Sequence, residues 1–139
     1  MLISTKGRYA LRIMEELAQF EKGSYMPLPM IAENQGISEK YLESIISMMV
    51  KGGLVEGLRG KKGGYRLSRP AGEYSVGEIL RISEGSLAPV SCLESDNVCP
   101  RAGLCKSLPV WEKLENLIND YLDSVSLEDI MEQENQSYK

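Results

Sequence analysis

The chain has 139 residues, 42% hydrophobic and 26% charged, enough to bury one core and with no run near the ~18–20 apolar residues of a membrane span. It contains no histidine, which removes the usual general base and excludes Ser-His-Asp and Cys-His catalysis, so an enzyme is not expected. The net charge of −4 divides unevenly, with 11 basic and 7 acidic side chains in residues 1–70 against 5 and 13 in residues 71–139, which points to a basic binding module joined to an acidic segment.

Met1–Lys6 runs directly into an amphipathic pattern with no apolar signal region, so the expected location is the cytoplasm, with no membrane partner. Ser4 or Thr5 is placed to cap a first helix, in which Tyr9, Leu11, Ile13, Met14, Leu17 and Ala18 recur at helical spacing. Glu21–Ser24 ends it. A second helix is expected over about 29–35, stopped by Gly36. Ser38 then caps a third over about 39–51, with Tyr41, Leu42, Ile45, Ile46 and Met49 as its buried stripe. A DNA-reading helix-turn-helix is built in this way, and so is a plain helical hairpin within a core.

The next segment favours the first reading. Leu54–Leu58 and Gly64–Ser68 alternate as two short strands around the basic turn Arg59-Gly60-Lys61-Lys62-Gly63. From Gly57 to Arg69 there are five basic residues and no acidic one. A hairpin with a cationic tip directly after a helix-turn-helix is a wing, able to neutralise phosphates or place an arginine in a narrow minor groove.

Pro70–Gly72 is a turn, and Ser75 with Glu78 has the spacing of a capping box, opening a short helix that ends near Ser83 or Glu84. Residues 85–107 show no periodicity and hold all three cysteines. After Pro109 a long amphipathic helix is expected, with Trp111, Leu114, Ile118, Tyr121 and Val125 as its stripe. That stripe could pack on its own domain, but its width and length favour pairing with a twin in a homodimer, which also suits reading an operator with two half-sites. Ser126–Asp129 opens a last short helix, and residues 134–139 are expected to fray.

The expected fold is therefore mainly α with a small β-hairpin wing. Residues 1–70 form the winged helix-turn-helix DNA-binding domain and residues 71–107 a short helix and cysteine loop. Residues 108–139 form a long C-terminal dimerisation helix with a final helix and tail.

Cys92-x6-Cys99-x5-Cys105 is the chemical centre of the sequence. Thiolates favour soft or borderline metals, and sites built mostly of cysteine suit zinc or an iron–sulfur cluster. Zinc usually draws its ligands into tight Cys-x2-Cys pairs, whereas a cluster accepts ligands spread along an open loop. The cluster is placed first, ahead of zinc and of a reversible thiol switch.

Taken together, Ser4-Thr5-Lys6-Gly7-Arg8-Tyr9-Ala10, Ile37-Ser38-Glu39-Lys40-Tyr41-Leu42-Glu43, Gly53-Leu54-Val55 with Arg59–Tyr65, and the three cysteines followed by Trp111 resemble the IscR-type iron–sulfur regulators of the wider Rrf-type group. The resemblance covers about residues 1–130 and implies a homodimer crossed at the long helix, bound to double-stranded DNA. It implies that Ser38, Lys40, Tyr41, Glu43 and Ser44 face bases or phosphates, that Arg59 and Gly60 bring the wing to the minor groove, and that Lys6, Tyr9 and Lys61 contact phosphates. It further implies a cluster on Cys92, Cys99 and Cys105, with [2Fe–2S] favoured over [4Fe–4S]. The chain departs from that pattern where a fourth-ligand histidine is replaced by Leu108, where an acidic ligand of nitric-oxide-sensing relatives is replaced by Arg8, and in a first intercysteine gap one residue longer. The fourth ligand is left open among Glu84, Glu94, Asp96, Ser107 and an exogenous thiol or water. Lys40 and Ser44 also differ from the resemblance, so its base preference is not carried over. The expected function is a transcription regulator, a repressor of iron–sulfur or related stress genes, with redox-sensitive DNA binding. The rival is a cluster-free regulator of cysteine or sulfur metabolism acting through a thiol switch or a partner enzyme.

Overall fold

The computed structural model describes residues 3–94, 100, 101 and 103–133. Helix α1 spans Thr5–Gln19 and opens at Ser4, whose hydroxyl accepts a hydrogen bond from the Gly7 N–H at 3.1 Å. It buries Ala10, Ile13, Met14 and Leu17, spaced three and four apart so that they form one face. Helix α2, Leu28–Gln35, starts after Pro27 and carries Pro29 in its first turn, where a missing N–H has no helical partner to lose. It stops at Gly36, whose φ of +67° a side chain would resist. Helix α3, Glu39–Lys51, follows at once and buries Leu42, Ile45, Ile46 and Met49. Tyr41, expected in that buried stripe, is instead exposed, because it lies one residue ahead of the apolar face.

Strands β1, Val55–Leu58, and β2, Gly64–Leu67, pair antiparallel with Val55 opposite Leu67 and Leu58 opposite Gly64. A third extended piece, not anticipated from the sequence, braces this hairpin. The Met26 N–H donates to the Tyr65 carbonyl at 2.8 Å and the Tyr65 N–H returns to Met26 at 2.9 Å. Met26 precedes Pro27, which disfavours helical backbone at Met26 and keeps it extended. Gly64 is needed beside it, since a Cβ there would lie 2.2 Å from the Met26 carbonyl oxygen.

A single 3-10 turn at Ala71–Glu73 leads to α4, Val76–Glu84. Ser75 accepts from the Glu78 N–H at 3.0 Å, but Glu78 pairs with Arg69 rather than closing back onto Ser75, so only half of the expected capping box forms. The full box appears at α6, Leu127–Glu132, between Ser126 and Asp129. Helix α5, Leu108–Ser124, contains no buried residue. Arg81 on α4 joins it through both oxygens of Asp123, at 2.8 and 2.9 Å, and through Asn119 at 2.9 Å.

The main core gathers α1, α2, α3, the hairpin, Tyr74, Ile79 and Leu127, so residues on both sides of position 70 share one apolar interior. Tyr74 is buried at its centre, its hydroxyl donating to the Leu54 carbonyl at 2.7 Å and accepting from the Arg69 N–H at 2.9 Å. A smaller cluster of Val76, Leu80 and Leu87 packs with Ile3, Leu11, Leu122, Val125 and Ile130. Among the described residues no helix is long and apolar enough to cross a membrane.

Candidate nucleic-acid interface and cysteine segment

Because α3 buries Leu42, Ile45, Ile46 and Met49, its opposite face presents Lys40, Glu43, Ser44 and Ser47 to solvent. Ser47, one helical turn on from Glu43 and Ser44, shares this exposed face. Ser38 is exposed and caps α3, accepting from the Tyr41 N–H at 3.1 Å. The Tyr41 ring meets the Tyr9 ring of α1 edge-on at 6.0 Å, and the Arg12 guanidinium lies 5.0 Å from the Tyr9 centroid. α1 thus steadies the first turn of α3. Lys6, one turn before Tyr9, is half-buried.

The hairpin tip consists of exposed Arg59, Gly60, Lys61 and Lys62, turned by the Gly63 N–H donating to the Gly60 carbonyl at 3.0 Å. Gly60 sits at φ +112°, and a Cβ on Gly63 would lie 2.1 Å from the Leu58 carbonyl oxygen, so the tip needs both glycines. Two of the five basic residues counted in this segment are committed elsewhere. Arg66 pairs with Glu56 at 2.6 Å, donates to the Gly23 carbonyl at 3.1 Å and covers the Tyr25 ring; Arg69 pairs with Glu78 and covers Tyr74. Their partners hold both guanidinium groups above the ordinary arginine value, first through the hydrogen bonds from Glu56 and Glu78. Arg59, Lys61 and Lys62 carry no ion pair among the described residues.

The cysteine segment leaves α4 at Gly85, is anchored by buried Leu87 and makes one 3-10 turn at Ser91–Leu93. Cys92 sits in that turn and Cys105 just before α5; both are half-buried and free of disulfides. Cys99 and Asp96 lie outside the described residues. Among the described residues no group of three His, Cys, Asp or Glu side chains is placed to hold a metal ion. The Cys105 sulfur is 3.3 Å from the Ser107 hydroxyl, and that hydrogen bond, followed by one from the Ser107 backbone, holds the thiol below the usual cysteine range.

Of the other groups considered as ligands, Glu94 is exposed and Glu84 is engaged, one carboxylate oxygen accepting from both the N–H and the hydroxyl of Ser4. Glu115 lies on α5 and is half-buried. Its Oε2 is shielded from solvent without a hydrogen-bond partner and lines a cavity of about 240 Å³ with Arg81, Leu87, Leu93 and Asn119. Cys92 and Cys105 carry the thiol donors that an iron–sulfur cluster takes.

The expected dimer stripe divides in two. Trp111 and Ile118 are half-buried, and Val125, which ends α5 as its C-cap, belongs with Leu122 to the smaller apolar cluster. Val110, Leu114, Leu117 and Tyr121 are exposed at 59%, 38%, 55% and 67%, and their spacing of four, three and four places them on one face.

The family model for Rrf2, described as an iron-dependent transcriptional regulator, matches residues 3–133. The chain belongs to the Rrf2 family. It is 39% identical over 135 residues to an HTH-type transcriptional regulator of Neisseria meningitidis serogroup A, covering 97% of this chain and 90% of that one. It is also similar to CymR, the global cysteine regulator of B. subtilis, at 37% identity and a TM-score of 0.75, covering 94% of this chain and 96% of that one. Against IscR of T. potens the values are 36% and 0.74, with 99% and 95% covered. This Rrf2 protein is accordingly a transcriptional regulator with a winged-helix DNA-binding fold, and a long helix follows its hairpin domain.

Proposed function

We propose that this Rrf2 regulator is a cytoplasmic homodimer that binds a two-half-site operator in double-stranded DNA. On this reading α3 enters the major groove with Ser38, Lys40, Glu43 and Ser44, the wing brings Arg59 and Gly60 to the neighbouring minor groove, and Lys6, Tyr9, Tyr41 and Lys61 fix the register. The observation that carries it is the pairing of an exposed polar face on α3, braced by Tyr9 against Tyr41, with a wing tip whose three cations carry no ion pair among the described residues. The exposed face of Val110, Leu114, Leu117 and Tyr121 supplies the seam for the second copy, with Trp111 and Ile118 at its border.

DNA binding is controlled by an iron–sulfur cluster on Cys92, Cys99 and Cys105, with [2Fe–2S] favoured over [4Fe–4S]. Bound there, the cluster supplies redox- and iron-sensitive chemistry. The chain's own contribution is to lower the Cys105 thiol below the usual cysteine range through Ser107 and to join the segment to α4, whose last residue grips α1. Control then requires different DNA affinities in the two loop states, favouring repression of iron–sulfur or stress genes in one. The alternative is a cluster-free regulator of cysteine metabolism using a thiol switch or partner enzyme, supported by the similarity to CymR and by the chain's lack of histidine.

The deciding measurement is the visible spectrum of anaerobically purified protein, with iron and acid-labile sulfide assayed on the same sample and DNA affinity compared before and after chelation. Matching iron and sulfide, lost in Cys92→Ala, support the cluster. A colourless protein after reconstitution refutes it and leaves the thiol reading, while failure to bind any duplex would sink both.

A further inference from the structure

Helix α5 carries Glu115, Asn119 and Asp123 in one row, each a helical turn from the next. Arg81 of α4 serves two of them, holding both oxygens of Asp123 at 2.8 and 2.9 Å and the Asn119 Oδ1 at 2.9 Å. The third is left over. Glu115 Oε2 is shielded from solvent, has no hydrogen-bond partner among the described residues, and lines a cavity of about 240 Å³. An acceptor shut away from water without a donor is costly, the more so when it belongs to a carboxylate. This oxygen therefore calls for a donor.

The charges around it say which kind. Arg81 also lines the cavity, but Asp123 neutralises it, while Glu115 has no ion pair among the described residues. A cationic donor restores the balance. The adjoining chain does not supply one, since no lysine or arginine occurs from Ile82 to Pro100, and the next two, Arg101 and Lys106, are exposed.

The rest of the lining selects among cations. A hard metal ion takes about six or more oxygen ligands. Here Asn119 Oδ1 already accepts from Arg81, and Ser86 Oγ accepts from the Ala88 N–H at 3.1 Å. An ammonium group needs fewer acceptors, a carboxylate first among them, and Leu87, Ala88 and Leu93 offer an apolar wall for a short alkyl stem. The volume lies below the roughly 300–1,000 Å³ of drug-sized sites, so the ligand is small.

We infer that this cavity is a binding site for a small primary ammonium compound, its N–H donors on Glu115 Oε2 and its alkyl body against Leu87 and Leu93. The site lies apart from α3 and the wing, and its occupancy requires neither DNA nor a cluster. It therefore goes beyond the function proposed above and does not depend on it.

The test titrates the full-length, nitrogen-15-labelled protein with propylammonium chloride at constant ionic strength and follows the amide resonances of Leu87, Leu93 and Asn119. Propanol, which has the alkyl body without the charge, and tetramethylammonium, a cation without an N–H, are the matched probes. Saturable shifts at those amides with propylammonium alone are the expected result. Glu115→Gln should weaken binding about tenfold or more, the worth of a hydrogen bond to a charged group. Glu112→Gln, at an exposed carboxylate on the same helix, should leave it unchanged. Ala88→Leu, which fills the cavity without altering charge, should abolish it, and decides the matter if the amide spectrum shows Glu115→Gln to be unfolded. The absence of a saturable shift, which would leave Glu115 Oε2 to water, overturns the inference. So does an equal response to tetramethylammonium, or wild-type binding by Glu115→Gln or Ala88→Leu. None of these outcomes bears on DNA binding by α3 and the wing.

Discussion

One carboxylate oxygen of Glu84 accepts two hydrogen bonds from Ser4, at 3.0 Å from the backbone N–H and 2.6 Å from the hydroxyl. The last residue of α4, from which the cysteine segment departs, is thereby fastened to the cap of α1. Gly7 makes room for it, because a Cβ at that position would lie 2.1 Å from the same oxygen. Gly7→Ala should therefore push Glu84 away and cost about 1–2 kcal/mol, although alanine is the better helix former. In a Glu84→Ala background the same change should be neutral or stabilising by up to about 1 kcal/mol. A urea double-mutant cycle measures this coupling, and additive effects would show that the two positions are independent.

Tyr74 joins the hairpin to the remainder of the core through its hydroxyl, which bonds Leu54 and Arg69. Tyr74→Phe keeps the ring and its packing but leaves the Arg69 N–H without that acceptor. The expected loss of stability is about 1–3 kcal/mol, read from the urea midpoint with an unchanged m-value.

The cations of the hairpin differ in what they are free to bind. Arg59→Ala should lower the slope of log affinity against log salt by about 0.9, the loss of one phosphate contact. Arg66→Ala should leave that slope unchanged, since its guanidinium is held by Glu56 and Gly23. Equal slope changes for the two would contradict this division.

On α5 the two apolar faces should separate in their effects. Leu117→Asp, at an exposed position, should yield a folded monomer by sedimentation with little change in monomer stability. Leu122→Ala, within the smaller cluster, should instead lower stability by about 2 kcal/mol and spare association. A Leu117→Asp protein that remains dimeric would place the seam elsewhere.

Asp123 is held below the ordinary carboxylate value, first by its hydrogen bond from Arg81 and then by that residue's charge. A folded-state value lowered in this way stabilises the fold above the unfolded-state pKa, and the gain disappears as pH falls through the folded one. Both side chains are well exposed, so Asp123→Asn should cost less than about 1 kcal/mol at pH 7. The gap from wild type should close below about pH 4. A gap that persists at pH 2 would assign the effect to packing.

Much of the fold was legible because its signals are local. Ser4, Ser38 and Ser126 cap helices next to them in sequence, and Gly36 and Gly60 mark turns that depend on their own backbone angles. The apolar spacing of α3 placed Leu42, Ile45, Ile46 and Met49 on its buried face, while Lys40, Glu43 and Ser44 were assigned to the other face by the family resemblance. The three-cysteine spacing marked the segment for which metal or thiol chemistry is proposed.

Only the tertiary structure decided which of these groups are available. Glu78 matched a capping box, yet it pairs with Arg69, an interaction that a local pattern cannot disclose. Arg66 and Arg69 counted as wing charge until their partners came into contact, and Glu84 counted as a free carboxylate until Ser4, 80 residues away, closed on it. The long amphipathic helix held enough apolar residues for two faces, and the partial burial of Leu122 and Val125 against the cluster of Val76, Leu80 and Leu87 assigned one to the protein's own interior. Helix periodicity, capping and turns depend on neighbours within about four positions and are written in the sequence. Whether a charge is paired or an apolar face covered depends on what the fold brings across the chain, and one strand of letters does not contain that.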